Sequence, residues 1–137
     1  MTKKLIIRCS KDELIRVRQF TADALDERNI PDLQTHKLVL AVDVVCANLI
    51  IHANNCELIN KIEFDIKFKP TQIAFTFKDK GIGFDINEYK SPSMDDLISA
   101  RRQGGLGLIL VKRIMDKIEF YNEKSYNICR LIKTYPL

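Results

Sequence analysis

Glycine is scarce in this chain, which has 5 glycines in 137 residues, about 4% where soluble proteins average about 7%. All five lie in two short segments, Gly81 and Gly83 in the first and Gly104, Gly105 and Gly107 in the second. Glycine tolerates positive φ angles and lets the backbone approach another group closely. Its confinement therefore predicts that both segments hold a bound group and that the other turns form without glycine.

Long apolar runs are also missing. No stretch approaches about 18 consecutive apolar residues, the length that a membrane-spanning helix needs. The N-terminal segment reaches a charge at Lys3, too early for a secretory signal. The four cysteines lie far apart and form no Cys-x-x-Cys pair, so we expect reduced thiols. These absences predict a soluble, cytoplasmic protein that does not enter a membrane.

A strong excess of one charge sign is absent as well. The 22 basic and 18 acidic residues leave a net charge of +4, with both signs interspersed along the chain. Direct nucleic-acid binding would need a clustered basic face, and this small excess gives it little support. With 137 residues, 46% of them hydrophobic, the chain is expected to fold as one domain over residues 1–137.

Hydrophobic periodicity predicts helices in the first half of the chain. Ser10–Glu13 matches a capping box, in which serine and glutamate satisfy each other's backbone N–H groups, and it starts a helix that Asn29–Pro31 ends. The second predicted helix, Asp32–Ala53, is apolar almost all round from Leu38 to Ile51 and should be largely buried. Strands are predicted at Lys3–Cys9, Lys61–Phe68, from Ile73 to Asp79, Lys117–Tyr121 and Tyr126–Thr134, with a third helix at Gly107–Lys117.

This order of elements predicts the fold class. Helices gather early and hairpin-linked strands follow, and the strict alternation of Lys61–Phe68 leaves one strand face to water. The chain is therefore expected to be an α+β protein, a two-layer sandwich of helices on a sheet. The polar, weakly patterned stretch at about residues 85–106 predicts a mobile lid.

The second glycine segment predicts an anion site. Gly104, Gly105 and Gly107 lead into a helix N-terminus, whose unpaired N–H groups and positive dipole end attract phosphate. The P-loop spacing Gly-x-x-x-x-Gly-Lys-[Ser/Thr] is absent from the sequence. A dinucleotide fingerprint fails because its third glycine and its preceding strand are missing. A tight helix entry without a ligand remains the alternative.

A carboxylate at a strand end precedes the first glycine segment. Asp79 continues the inward-facing row of its strand, and Gly81 and Gly83 follow it. An inward carboxylate must be hydrogen-bonded or ligand-bound to offset its desolvation. It could accept a hydrogen bond from the exocyclic amine of adenine. The alternative is an ordinary Asp-x-Gly turn.

The second helix carries a polar exception at Asn48, with His52 one turn further on. The amide oxygen of asparagine is a hard ligand that suits Mg²⁺. The alternative for either residue is a hydrogen bond within the core. His52 and Cys56 also have the spacing of a metal pair, but no further ligand lies nearby in the sequence, so zinc is only a minor alternative.

Three segments together resemble one family. Residues 40–53, LAVDVVCANLIIHA, are similar to the asparagine box of the anti-sigma factor serine kinases, which belong to the GHKL ATPase superfamily with gyrase and histidine kinases. Asp79–Asp85 resembles the first glycine box and Gly104–Leu108 the second, in the same order and at matching spacing. The resemblance covers essentially the whole chain. It implies the Bergerat fold, with a mixed, mostly antiparallel sheet, and ATP and Mg²⁺ as cofactors.

The resemblance implies a role for each matching residue. Asn48 would orient Mg²⁺ and the phosphates, and Asp79 would recognise adenine. Glycines of the first box would shape the base pocket, and those of the second would approach the phosphates. Arg101 and Arg102, on the lid, would contact the terminal phosphate or remain solvated. The implied nucleotide-binding set is Asn48, His52, Asp79, Gly81, Gly83, Arg101, Arg102, Gly104, Gly105, Leu106, Gly107 and Leu108, with Asn48 also at the metal.

One position departs from the family. The kinases carry a glutamate, taken to be the general base, four residues before the asparagine, where this chain has Val44. Valine cannot accept a proton, and loss of a positioned base costs about 10²- to 10⁴-fold in rate. Asp43 is adjacent, but one residue rotates a side chain by about 100° around a helix. No catalytic residue is therefore assigned, and enzymatic activity is left open.

Two functions follow from this reading. The resemblance implies an ATP-binding regulatory protein that binds a sigma factor and phosphorylates a serine of an antagonist protein. Val44 favours the alternative, an ATP-binding module that uses the nucleotide only to control partner binding. A homodimer is a further implication of the family. A stand-alone histidine kinase is disfavoured, because the chain has no room for a dimerisation and phosphoacceptor helix pair.

Overall fold

The structure of the chain is a computed structural model that describes residues 1–53, 61–80 and 105–137. Segments 54–60 and 81–104 lie outside the described residues. In chain order the elements are β1 (Thr2–Arg8), a 3₁₀ turn (Lys11–Glu13), α1 (Leu14–Glu27), α2 (Asp32–Asn48), a π-helical turn (Leu49–Ala53), β2 (Lys61–Phe68), β3 (Gln72–Asp79), α3 (Gly105–Ile114), β4 (Lys117–Glu123) and β5 (Tyr126–Thr134).

Helices and strands form two layers with the core between them. The inward faces of β2 and β3 carry three fully buried aromatic side chains, Phe64, Phe75 and Phe77. The ring of Phe64 stacks on Phe77 at 4.7 Å and meets Phe20 of α1 edge-on at 5.9 Å. Aromatic pairs at these separations stabilise beyond the area they bury. They anchor α1 on the sheet, and the alternation predicted for β2 is confirmed.

The middle of the helical layer is α2, which packs against α1 on one side and α3 on the other. Its buried residues include Leu38, Val42 and Val45, so the predicted burial of this helix is confirmed. Among the described helices, Asp32–Ile51 is long and apolar enough to span a membrane by length and composition, yet half of its apolar window is buried inside the protein. Core helices of soluble proteins meet the same criterion.

The described strands form one sheet in the order β1-β2-β3-β5-β4, and each pairing is antiparallel. The α+β class is confirmed, but these pairings are not mixed as the resemblance implied. The reason is the position of β5, which lies between β3 and β4. These two strands run in the same direction but are not neighbours.

The predicted capping box is half wrong. The Asp12 N–H donates to the Ser10 hydroxyl at 3.3 Å, while the Glu13 carboxylate accepts from Arg16 at 2.7 Å instead of from the serine backbone. A 3₁₀ turn precedes α1 here, and its tighter winding brings residue 12 to the serine. Both ends of the third helix also differ from the prediction, since α3 begins at Gly105 and ends at Ile114.

The sharp turns of the described residues form without glycine. Asn29 follows α1 with φ 58°. Its N–H donates to the Asp26 carbonyl at 2.9 Å, and the Ile30 N–H donates to the Leu25 carbonyl at 3.2 Å. This is a Schellman motif with asparagine in the place that glycine usually takes. The expectation that these turns do without glycine is confirmed.

The β4–β5 hairpin should gain stability from glycine. Lys124 and Ser125 have φ 49° and 73°, where a residue with a Cβ carries a cost of about 1 kcal/mol. We expect Ser125→Gly to raise the free energy of unfolding by about 0.5 kcal/mol, measured by urea denaturation. The control Thr71→Gly, in the β2–β3 turn, should lower it. A loss of stability in Ser125→Gly would contradict this account of the turn.

Candidate functional site

Two predicted site positions, Val44 and Asn48, lie on the side of α2 that faces α3. They are four residues apart, so their side chains project from one face of the helix. A Cβ built on Gly107 of α3 would lie 3.0 Å from Cγ1 of Val44, which identifies this face as the α2–α3 contact. The structure therefore brings together residues from the asparagine box and the second glycine box.

The orientation of the Asn48 amide follows from its hydrogen bond. Asn48 is 8% exposed, and its Nδ2 donates to the Val44 carbonyl one turn back at 2.8 Å. Because a carbonyl can only accept, the NH₂ end must face it and Oδ1 must face away from the helix backbone. The amide oxygen is therefore presented as an acceptor or ligand, as the predicted magnesium role requires.

The helix geometry changes immediately after Asn48. The α-helix ends at this residue, and Leu49–Ala53 form a π-helical turn. Such turns are rare and occur frequently at functional sites, because the wider winding re-aims the side chains around it. The periodicity of the sequence predicted a continuous helix here. The π-helical turn is thus a structural feature that marks the Asn48 region, and the hydrophobic pattern of the sequence did not predict it.

Gly107 has a packing role of its own. Carbon atoms in contact are normally about 3.5–4.0 Å apart, so a side chain at this position would collide with Val44 at 3.0 Å. Valine is β-branched and holds one strongly preferred rotamer in a helix, so it has little freedom to move away. The glycine predicted for phosphate approach is therefore also required for the approach of α3 to α2.

The N-terminus of α3 starts at Gly105. The N–H groups of its first turn have no carbonyl partner within the helix, and the positive end of the helix dipole lies here, a geometry and polarity that favour an anion. The side chain of Leu108 is 2% exposed and belongs to the core. Any contact of this residue with a nucleotide would come from its backbone. The α3 helix is thus held by its core side chains while its first turn carries the glycines.

Asp79 is the buried carboxylate of the described residues. It ends β3 on the inward parity of Phe75 and Phe77 and is 2% exposed, so the predicted inward orientation is confirmed. The Asn127 amide of β5, directly opposite in the strand register, donates to Asp79 Oδ1 at 3.4 Å. A buried carboxylate with fixed partners is suited to selecting a hydrogen-bond donor on a ligand.

Asn127 is a site residue that sequence reasoning missed. Its register partner is Asp79, and it shares inward parity with the buried Cys129 and Leu131 of β5. The sequence signal that could have identified Asn127 is its polar side chain at an inward-facing position of a strand. Recognising its meaning required the register between β3 and β5, which are 48 residues apart at this pair.

Asp43 faces the other neighbour of α2. Its Oδ1 lies 3.6 Å from Arg18 Nη1 of α1, which confirms that the one-residue step turns it away from the Val44 face. Burial raises the pKa of the Asp43 carboxyl, and the Arg18 guanidinium opposes that rise. Asp43 therefore cannot replace the missing base from where it lies.

Cys46 is not a reactive group either. It is fully buried, and burial first, with the negative charges of Asp43 and Cys9 second, raises the pKa of its thiol to about 12. A thiol with this pKa stays protonated at neutral pH and is a poor nucleophile. Cys46 therefore contributes packing to α2 and no nucleophile.

Among residues 1–53, 61–80 and 105–137, no group of three or more His, Cys, Asp or Glu side chains could hold a metal ion.

Several predicted residues lie outside the described part of the chain. The zinc pair His52–Cys56 falls outside the described side chains. The other predicted site residues outside them are Gly81, Gly83, Arg101, Arg102, Gly104 and the side chain of Leu106.

Fold and site define a class: an α+β sandwich whose central helix, strand end and glycine-led helix carry groups of the kind that bind nucleotides. The chain belongs to the histidine kinase-like ATPase domain family, whose model matches residues 7–133. This match covers nearly the whole chain and all of the described site residues.

Curated relatives point the same way. Serine-protein kinase RsbW of Staphylococcus aureus strain JH9 is 35% identical over 97 residues, which is 65% of this chain and 59% of that protein. RsbW of strains Newman and USA300 gives the same figures. The match thus spans less than two thirds of the length of these relatives. The resemblance to serine kinases of this ATPase superfamily is confirmed.

A solved structure supports the fold. A chain in the crystal structure of the SiaB–SiaC complex from Pseudomonas aeruginosa aligns with a TM-score of 0.60 over 96% of this chain and 89% of that chain. The sequence identity is 10%, so this likeness shows the fold alone.

The Val44–Gly107 contact can be measured by a double-mutant cycle. Gly107→Ala should lower the free energy of unfolding by about 1 kcal/mol, because overpacking against Val44 outweighs the helix propensity of alanine. In a Val44→Ala background the same change should be neutral or stabilising. The coupling energy, from urea denaturation of all four proteins, should be about 1 kcal/mol or more. Additive effects would show that the two residues do not touch.

Proposed function

We propose that the protein is an ATP-binding regulatory protein of the anti-sigma factor type. Membership of the histidine kinase-like ATPase family and similarity to the serine-protein kinase RsbW support this function. A sigma factor and an antagonist protein are the proposed partners. A cytoplasmic location and a homodimer belong to the same proposal.

The proposed ligand is ATP with Mg²⁺. Asn48 fits the metal, because its amide N–H is engaged by the Val44 carbonyl and its oxygen is a hard donor suited to Mg²⁺. Bound Mg²⁺ would supply charge neutralisation for the phosphates. Asp79, held by Asn127, would accept a hydrogen bond from the adenine amine, and the first turn of α3 would donate N–H groups to the phosphates.

The residue at the position of the family's general base decides between catalysis and binding alone. Val44 occupies the position of the family's general base, and its side chain packs at the α2–α3 contact against Gly107. A hydrocarbon at this place can neither accept a proton nor orient a nucleophile. We therefore favour the binding-only form of the function, in which ATP orders the domain for a partner and phosphoryl transfer is lost.

Nucleotide selectivity tests the proposal. Mg-ATP and Mg-ADP should raise the melting temperature in a thermal-shift assay and Mg-GTP should not, because binding to the native state stabilises it. Asp79→Asn should weaken ATP about tenfold or more, since an amide donor replaces a carboxylate acceptor of a charge-assisted hydrogen bond.

The matched control is Asp65→Asn, which changes a half-exposed carboxylate on the neighbouring strand β2. It should leave the ATP response unchanged. Equal stabilisation of the native protein by GTP, or an unchanged ATP affinity in Asp79→Asn with the fold intact, would remove Asp79 from the base pocket.

Restoring the base tests the catalytic alternative. The native protein should show no phosphorylation of a candidate antagonist protein with labelled ATP. Val44→Glu should create or raise that activity by about 10²-fold or more if the position is correctly aligned. Val44→Gln is the control, because it has nearly the same shape as glutamate and cannot act as a base.

Phosphoserine formed by the native protein at an ordinary kinase rate would exclude the binding-only form. Melting temperatures of both variants must be measured alongside, because a longer side chain beside Gly107 strains the α2–α3 contact.

A further inference from the structure

A concave surface lies on the α1 side of α2, away from Val44. It is a groove between the outer sides of α1 and α2, with a volume of about 530 Å³. On α2 its lining runs from Asp32 to Asp43, which is a rise of about 16 Å, or three helical turns. The proposed nucleotide site uses none of these residues.

The walls of this α1–α2 groove are partly apolar. Ile15 of α1 and Leu40 of α2 line it and are 66% and 43% exposed. Single exposed aliphatic residues are normal on a protein surface. Here large aliphatic side chains occupy both walls of one groove, where an apolar partner side chain inserted between them would contact both.

The groove is negative on a positive protein. Three carboxylates line it, those of Asp26, Asp32 and Asp43, against the one guanidinium of Arg18. These four formal charges leave −2 in the groove, whereas the whole chain carries +4. Charge complementarity therefore favours a basic occupant.

Asp43 strengthens the case for a basic occupant at one end of the groove. Its side chain lines the groove and is 23% exposed, and its ion pair with Arg18 is long at 3.6 Å. A lysine or arginine brought to the exposed part of this carboxylate would gain a charge-assisted hydrogen bond.

We propose that the α1–α2 groove binds an amphipathic helix of a partner protein, with apolar side chains between Ile15 and Leu40 and Lys or Arg side chains at Asp26, Asp32 and Asp43. Both walls are helices and offer no free strand edge, so a helix laid in the groove fits better than an added strand. This inference rests on the proposed function only for the existence of a protein partner.

The position of the groove links it to the nucleotide side. Asp43 and Val44 are consecutive residues of α2, and they face α1 and α3 respectively. A partner helix that shifts α2 would therefore act on the same rigid element that carries Asn48. Coupling between partner and nucleotide would travel through one helix.

Site-specific photocrosslinking tests the groove in the full-length chain. The photoreactive residue p-benzoylphenylalanine is placed at Ile15 in the source organism, with Lys61 on the opposite face of the sheet as the control position. Mass spectrometry then identifies the crosslinked segment. We expect a segment of another protein whose helical pattern has one apolar stripe flanked by two or more Lys or Arg residues.

The charge of the groove is tested in the same assay. Asp26→Lys with Asp32→Asn should reduce the crosslink at least tenfold. Glu63→Lys with Glu123→Gln makes the same change of +3 on exposed residues elsewhere and should not reduce it. Circular dichroism and the melting temperature establish that each pair is folded, and Leu40→Gln is a second groove variant that leaves the charge unchanged.

Four results would overturn the proposal: a crosslink at Ile15 no stronger than at Lys61, an acidic segment, a second copy of this chain, or indifference to the charge change. The thermal shift with Mg-ATP separates this failure from that of the proposed function. Groove variants should keep the native ATP response, whereas a native protein that ignores ATP would end the nucleotide proposal and leave the crosslink result standing.

Discussion

The contact between α2 and α3 at Val44 and Gly107 is the constraint on which the rest of the site depends. A Cβ on the glycine would lie 3.0 Å from the valine, so the two helices are as close as a valine side chain permits. This approach holds the first turn of α3 next to the face of α2 that bears Asn48. The N-terminal end of one helix and the amide of another are thereby part of one rigid layer.

Different faces of the central helix α2 contact different parts of the protein. Its buried apolar residues form the core, Val44 and Asn48 face α3, and Asp43 faces α1. A helix packed on three sides cannot rotate or shift on one side without disturbing the others, because protein interiors are close-packed. That arrangement would give the proposed nucleotide on one side and the proposed partner helix on the other a common rigid element.

The replacement of the family's glutamate by Val44 is consistent with this packing. A carboxylate between two closely packed helices needs solvent or a hydrogen-bond partner to remain charged, whereas valine needs only contact. The exchange therefore favours helix packing over proton transfer at this position. Asp79, Asn48 and the first turn of α3, the groups proposed for nucleotide binding, are separate from this position, so the proposed binding does not depend on a base there.

Much of the fold was predictable because the signals are local. The 3.6-residue and two-residue periodicities predicted a buried α2 and a half-exposed β2, and the sparing use of glycine agreed with turns built on Asn29 and Ser125. The inward burial of Asp79 followed from strand parity. The angle between consecutive helical residues also predicted that Asp43 points away from the site.

Other features were not predictable, because they depend on elements distant in sequence. The pairing of Asn127 with Asp79 needs the insertion of β5 beside β3, and the same insertion keeps β3 and β4, which run in the same direction, from pairing. By itself the sequence determined which faces are apolar and which residues carry chemistry, since side-chain type and periodicity are properties of short segments. Only the tertiary structure decided which of those residues meet, because contacts across helices and strands are set by packing and register.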